Sequence, residues 1–218
     1  MNLFADNDVI AKLAAWDLLD AGIKACGLQV ANVRYLPSAP FVLGVRGKMP
    51  CKYPPVVQER LRALFASAQQ CGDSRDDALA DVVGIDPGDS ILLSQSASTT
   101  SSFLMTGDKK CIRAVVAEPR CAVLVTNLRE RVFCLEQVLL RAISQITFDE
   151  VKRRVVESGL LTVDTAVAAA FGSGLLADQL NACGALEQRV QALAAVAGGM
   201  LVPHPFTFLG NGFGNRSV

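Results

Sequence analysis

The chain has 218 residues, 51% of them hydrophobic and 19% charged, which is enough to bury a sizeable core and argues against disorder. Lys plus Arg and Asp plus Glu balance at 21 each, so no global positive field draws nucleic acid and contact with a polyanion has to come from a local patch. One histidine, His204, and seven scattered cysteines without a CxxC pair argue against a zinc site, a His-based catalytic machine and a disulfide framework, leaving carboxylates to carry any chemistry.

The N-terminus has no basic region and reaches an acid at Asp6, so no secretory signal is expected and the protein is placed in the cytoplasm. Leu3-Phe4-Ala5 is an apolar run ending in Asp6-Asn7-Asp8, after which Val9, Leu13, Trp16 and Ile23 recur at helical spacing. That pattern is strand, acidic turn, helix. Residues 28–36, rich in Val and Tyr, read as a second strand, and residues 37–55 as a Pro/Gly-punctuated loop carrying Arg46, Lys48 and Lys52, a basic stretch fit either to clamp a substrate or simply to be solvated. A helix is predicted over 55–70. Asp86-Pro87-Gly88-Asp89 then opens a helix running to Ala97, with the acid at the cap and proline in the first turn. Beyond the polar break at 98–102 come a strand at 103–105, the turn Thr106-Gly107-Asp108, a helix at 109–117 and a further strand at 121–126. Strands alternating with helices imply a mainly parallel central sheet covered by helices on both faces, an α/β fold in three layers, α/β/α.

From about Arg129 the strand signal stops, and helices are predicted at 132–145, 148–158, 163–171 and 175–197. The division expected is an α/β domain over 1–146 and a helical extension over 147–218 that ends in a Gly/Phe-rich tail, residues 198–218, loosely ordered or packed on a neighbour. The mean hydropathy of +0.33 does not signal a membrane span. The Ala-rich stretch 166–177 is bracketed by Asp164 and Asp178, too short an uncharged run to span a bilayer.

Ligands of parallel sheets bind outside the carboxyl ends of the strands. Asp6 ends the first strand, Asp108 follows the strand at 103–105, and Asp89 stands in the first turn of a helix that can face the same rim. Clustered carboxylates repel one another, and a divalent cation relieves the cost. Ligation by oxygen alone selects Mg²⁺ or Mn²⁺. Asp8 is either a further ligand or the cap of the first helix, and Asp86 reads as a helix cap. Thr106, Lys109, Lys110 and Arg113 are the candidate substrate contacts beside the acids, the lysines and Arg113 being equally at home as a solvated helix surface.

These residues carry a resemblance. Leu3-Phe4-Ala5-Asp6-Asn7-Asp8-Val9-Ile10 resembles the opening of PIN-domain nucleases. Asp89-Ser90-Ile91-Leu92-Leu93-Ser94-Gln95-Ser96-Ala97 resembles their central acid with its helix, and Phe103-Leu104-Met105-Thr106-Gly107-Asp108 their third motif. The likeness covers residues 3–145. It implies a metal-dependent endoribonuclease in which Asp6, Asp89 and Asp108 hold Mg²⁺ or Mn²⁺ and serve catalysis. It also implies an RNA substrate and a place as the toxin of a toxin–antitoxin or defence pair, with a protein inhibitor or antitoxin or a second copy of the chain as partner, and no membrane. Many relatives carry another acid three to five residues after the third; Cys111, Ile112 and Arg113 stand there in this chain. Two alternatives stay open: a PIN-like module without catalysis that binds RNA or protein, and a haloacid-dehalogenase-like phosphatase with Asp6 as nucleophile, whose Asp-x-Asp start Asp6-Asn7-Asp8 also matches.

Overall fold

The computed structural model describes residues 1–47 and 53–205. Leu3, Phe4 and Ala5 lie in strand β1 (Asn2–Ala5) and all three are buried, as a strand covered on both faces requires. β1 is central. It pairs in parallel with β2 (Val33–Tyr35) on one side and with β4 (Ser102–Thr106) on the other. The two-residue strand β3 (Gln69–Gln70) adds beyond β2 and β5 (Val132–Cys134) beyond β4, giving the order β3-β2-β1-β4-β5 with every pair parallel. The chain therefore winds outward through β1, β2 and β3, returns, and winds outward the other way through β4 and β5. The reversal makes the gap between the carboxyl ends of β1 and β4 a topological switch point, where a crevice opens.

Right-handed crossovers in the two directions place their helices on opposite faces. α1 (Asn7–Ala15), α2 (Leu19–Ala25) and α4 (Pro55–Ser67) connect β1, β2 and β3, with the short α3 (Ala39–Val42) between, and α1 packs on both α2 and α4. α5 (Pro87–Ser98) leads into β4, and α6 (Lys109–Ala117) and α7 (Ala122–Asn127) lead into β5; α7 packs on α5 and α6. The result is a three-layer α/β/α fold. α8 (Leu135–Ile146) follows β5 and packs on α2, while the extension α9 (Phe148–Glu157), α10 (Thr165–Phe171) and α11 (Gln179–Ala194) builds on α8. Val151, Phe171 and Leu186 of the extension belong to the same continuous apolar core as the sheet. Among the described residues no helix is long and apolar enough to cross a membrane.

Two elements differ in kind from the sequence reading. Residues 121–126, expected as a strand, form a 3₁₀ turn and α7. Cys121, Leu124 and Leu128 are buried and the residues between them mostly exposed, so the apolar period is helical and overrides the β-branched composition. Val132-Phe133-Cys134, expected as the start of a helix, is the fully buried strand β5, a run too short for its periodicity to separate strand from helix. Boundaries shift elsewhere. The predicted first helix breaks at Asp17, which takes a positive φ of 56°. The second strand shrinks to three residues behind a 3₁₀ turn at Val30–Asn32, and the helix expected over 55–70 stops at Ser67 to leave β3.

The start of the tail is not loose: Val132 N–H donates to Met200 O and Val202 N–H to Val132 O, each at 2.9 Å, so the chain after α11 covers the β5 edge, which would otherwise offer unpaired backbone. Lys48 and Lys52 of the basic loop, Cys51, and residues 206–218 of the tail lie outside the described residues. The other six cysteines are buried free thiols.

Candidate functional site

Three acids reach the switch point from three elements. Asp6 continues the ladder, its N–H donating to Met105 O at 3.0 Å, and caps α1 by accepting the Asp8 N–H at 3.3 Å. Asp108 caps α6: its Oδ1 accepts the N–H groups of Lys110 at 2.7 Å and Cys111 at 2.9 Å. Asp89 stands one turn into α5, positioned by the cap Asp86, whose Oδ1 accepts the Asp89 N–H at 2.8 Å. All three line one cleft of about 470 Å³, together with Asp8, Asp86 and Asp164.

The cleft is short of positive charge. Burial pushes the Asp6 carboxyl up to about 6, with repulsion from Asp8 and Asp86 adding to it and the backbone N–H groups of Asp8 and Gly107 opposing it. Asp89 rises to about 7, again chiefly through burial, then through repulsion from Asp86, Asp6 and Asp108. Asp89 therefore feels both Asp6 and Asp108 across the cleft. Cys111, buried behind them, has its thiol held up by burial and then by Asp89 and Asp108. Gly107 packs closely beside the acids: a Cβ there would stand 3.1 Å from Asp8 Oδ2 and 3.4 Å from Val9 Cγ2, so the Asp8 carboxylate would have to give way slightly.

Of the substrate contacts expected, Lys109 and Lys110 line the cleft. Thr106 is buried and spends its Oγ1 accepting the Asp108 N–H at 3.0 Å, which makes it a turn residue. Arg113 is exposed on α6 and does not line the cleft. Sequence reasoning missed three residues. Glu136, buried in the first turn of α8, receives the Lys109 ammonium, and its Oε2 has no hydrogen-bond partner among the described residues. Lys12 and Asp164 form a second pair at 2.8 Å beside Asp8. Lys12 was readable, being one helical turn beyond Asp8; Asp164 and Glu136 arrive through tertiary packing and leave no local signal.

The donor set that a divalent cation could use is one of hard oxygens, the carboxylates of Asp6, Asp89 and Asp108 and, next to Asp6, an Asn7 Oδ1 that is buried without a partner among the described residues. Among the described residues no three His, Cys, Asp or Glu side chains stand close enough to form a ready coordination shell. Comparisons with protein-family models, curated proteins and solved structures found no match to this chain.

Proposed function

We propose that the cleft hydrolyses phosphodiester bonds in RNA with Mg²⁺ or Mn²⁺ held by Asp6, Asp89 and Asp108. The observation that carries this reading is the convergence of three acids on one cleft at the switch point, with Asp6 and Asp89 pushed up to about 6 and 7 by burial first and neighbouring carboxylates second, at the place where parallel sheets bind ligands. When bound, the ion polarises the phosphoryl oxygen and lowers the pKa of a water. The chain's own part is positional. Asp108 is fixed by two backbone N–H groups, Asp6 by the ladder and Asp89 by its cap, and all three face one cleft. Lys110 at the rim attracts the phosphate backbone, and Lys109, anchored on Glu136, brings its charge beside Asp108. The PIN-type resemblance of the three motifs supports the same reading, as does the strand order, which puts Asp6 and Asp108 on the two sides of the switch point. The phosphatase alternative needs Asp8 as a free acid–base group, whereas Lys12 holds it in an ion pair at 2.5 Å.

The test is Asp6→Asn, which keeps the size and one acceptor oxygen while removing the charge. Mn²⁺ binding, followed by the loss of free Mn²⁺ signal in electron paramagnetic resonance, and cleavage of an unstructured RNA are both expected to be lost. The metal-free variant is expected to melt no lower than the wild type at pH 8, because like-charge repulsion is relieved. A variant that melts several degrees lower yet still cleaves RNA with added Mn²⁺ would overturn the assignment. Turnover of a generic phosphomonoester without RNA cleavage would favour the phosphatase.

A further inference from the structure

Lys12 projects from α1 one turn beyond Asp8, and its ammonium lies 2.5 Å from Asp8 Oδ2 and 2.8 Å from Asp164 Oδ2. The Lys12 and Asp164 side chains are only 12% and 14% exposed, against 53% for Asp8. Asp164 is doubly committed. Its Oδ1 accepts the N–H groups of Ala166 at 2.8 Å and Val167 at 3.1 Å, capping α10, which leaves Oδ2 for Lys12. The residue that fixes the lysine thus belongs to the helical extension, far from Lys12 in sequence. The ammonium thus has two carboxylate oxygens to hold it.

We propose that Lys12, locked by Asp164, withholds Asp8 from metal ligation, so that the cleft takes one divalent ion on Asp6, Asp89 and Asp108 rather than two. The inference rests on the nuclease reading above. A dication approaching Asp8 meets a fixed positive charge already in contact with that carboxylate, and the two like charges repel. The helical extension therefore acts as a part of the site: it supplies the acid that keeps Lys12 in place. An i to i+4 ion pair on an exposed helix contributes little; this one differs in being pinned from a second element and in facing the acid cleft.

Metal stoichiometry decides between the two roles. Full-length protein at pH 7.5 is titrated with Mn²⁺ and bound ions are counted from the paramagnetic resonance signal, with circular dichroism checking the fold of each variant. The wild type is expected to bind one ion. Lys12→Met frees Asp8 and is expected to bind two, and adding Asp8→Asn to it should return the count to one. Lys12→Arg keeps the positive charge and should stay at one, and Asp164→Asn, which loosens the lysine, should admit the second ion more weakly than Lys12→Met. A count of one in both wild type and Lys12→Met overturns the inference and leaves the nuclease reading standing, as does a wild type that already binds two. A wild type that takes up no Mn²⁺ overturns the nuclease reading itself and this inference with it.

Discussion

At the scale of single residues, Asp6 and Asp89 set how stability of the metal-free protein depends on pH. Both carboxyls are raised from 3.8, to about 6 and about 7 respectively. Between those limits the folded protein holds protons that the unfolded chain has released, so stability falls as pH rises from about 4 through about 7. Asp164 shifts the other way: burial opposes the change, but the Lys12 ammonium and two backbone N–H groups lower it, and its contribution is lost on acidification below the ordinary carboxylate range. The metal-free protein should therefore be most stable at about pH 4, at the foot of that window. Melting curves in EDTA are expected to show Tm falling by several degrees between pH 5 and pH 8, Asp89→Asn to flatten that slope, and saturating Mn²⁺ to restore Tm at pH 8. A Tm that climbs steadily from pH 5 to 8 in EDTA would mean that neither acid is held in a repulsive site. Asp6, Asp89 and Asp108 were legible in the sequence because each ends a strand or opens a helix, and position relative to an element is local information. Their counterweights, Asp164 on Lys12 and Glu136 on Lys109, were not, since a side chain that meets its partner only after folding leaves no spacing to read.

At the scale of elements, the turn that joins the end of α5 to the start of β4 is tied together by one guanidinium. Arg131, just ahead of β5, donates to Ser102 O at 2.8 Å, to Ser96 O at 2.9 Å, to Thr99 O at 2.6 Å and to Asn127 O at 2.8 Å. Ser96 and Thr99 lie at the end of α5, whose last carbonyls have no partner within the helix. Arg131→Met would strand these part-buried acceptors and is expected to cost about 2–4 kcal/mol, read as a lower urea midpoint with an unchanged slope. A loss under about 0.5 kcal/mol, the ordinary surface value, would show that water replaces the guanidinium at no penalty. The same region shows where element reading works and fails. α5 and α6 were legible because caps announce them, Asp86 with Pro87 for one and Asp108 for the other. α7 has no side-chain cap and a valine-rich composition, and β5 is three buried residues fused to a helix; in both, tertiary burial decides what propensity leaves open.

At the scale of the molecule, the parallel sheet and its covering helices followed from the alternation of elements, but the place of the extension did not. An appended helical tail predicts a separable unit, yet the contacts run through the core. Trp16, fully buried at the end of α1, donates its Nε1–H to Leu160 O at 3.3 Å. The rings of Phe148 and Phe171 stack at 6.0 Å, and α8 packs on α2 on one side and on α9 and α11 on the other. Arg154 of α9 donates to Asp17 O at 2.7 Å, holding the break between α1 and α2. Removing residues 147–218 would bare the α8 face that now meets α9 and α11, strip the partner from the Trp16 indole, uncover the β5 edge and take Asp164 from the site. Each loss alone is of the order of a few kcal/mol, comparable with a large part of a domain's whole stability. A fragment of residues 1–146 is accordingly expected to lack a cooperative thermal transition, to bind a dye for exposed apolar surface and to take up no Mn²⁺. A soluble fragment that melts cooperatively within a few degrees of the full chain would make the extension an appendage. If that fragment also bound two Mn²⁺ ions, the loss of Asp164 alone would account for the change, and the extension's part in the site would be electrostatic and not structural.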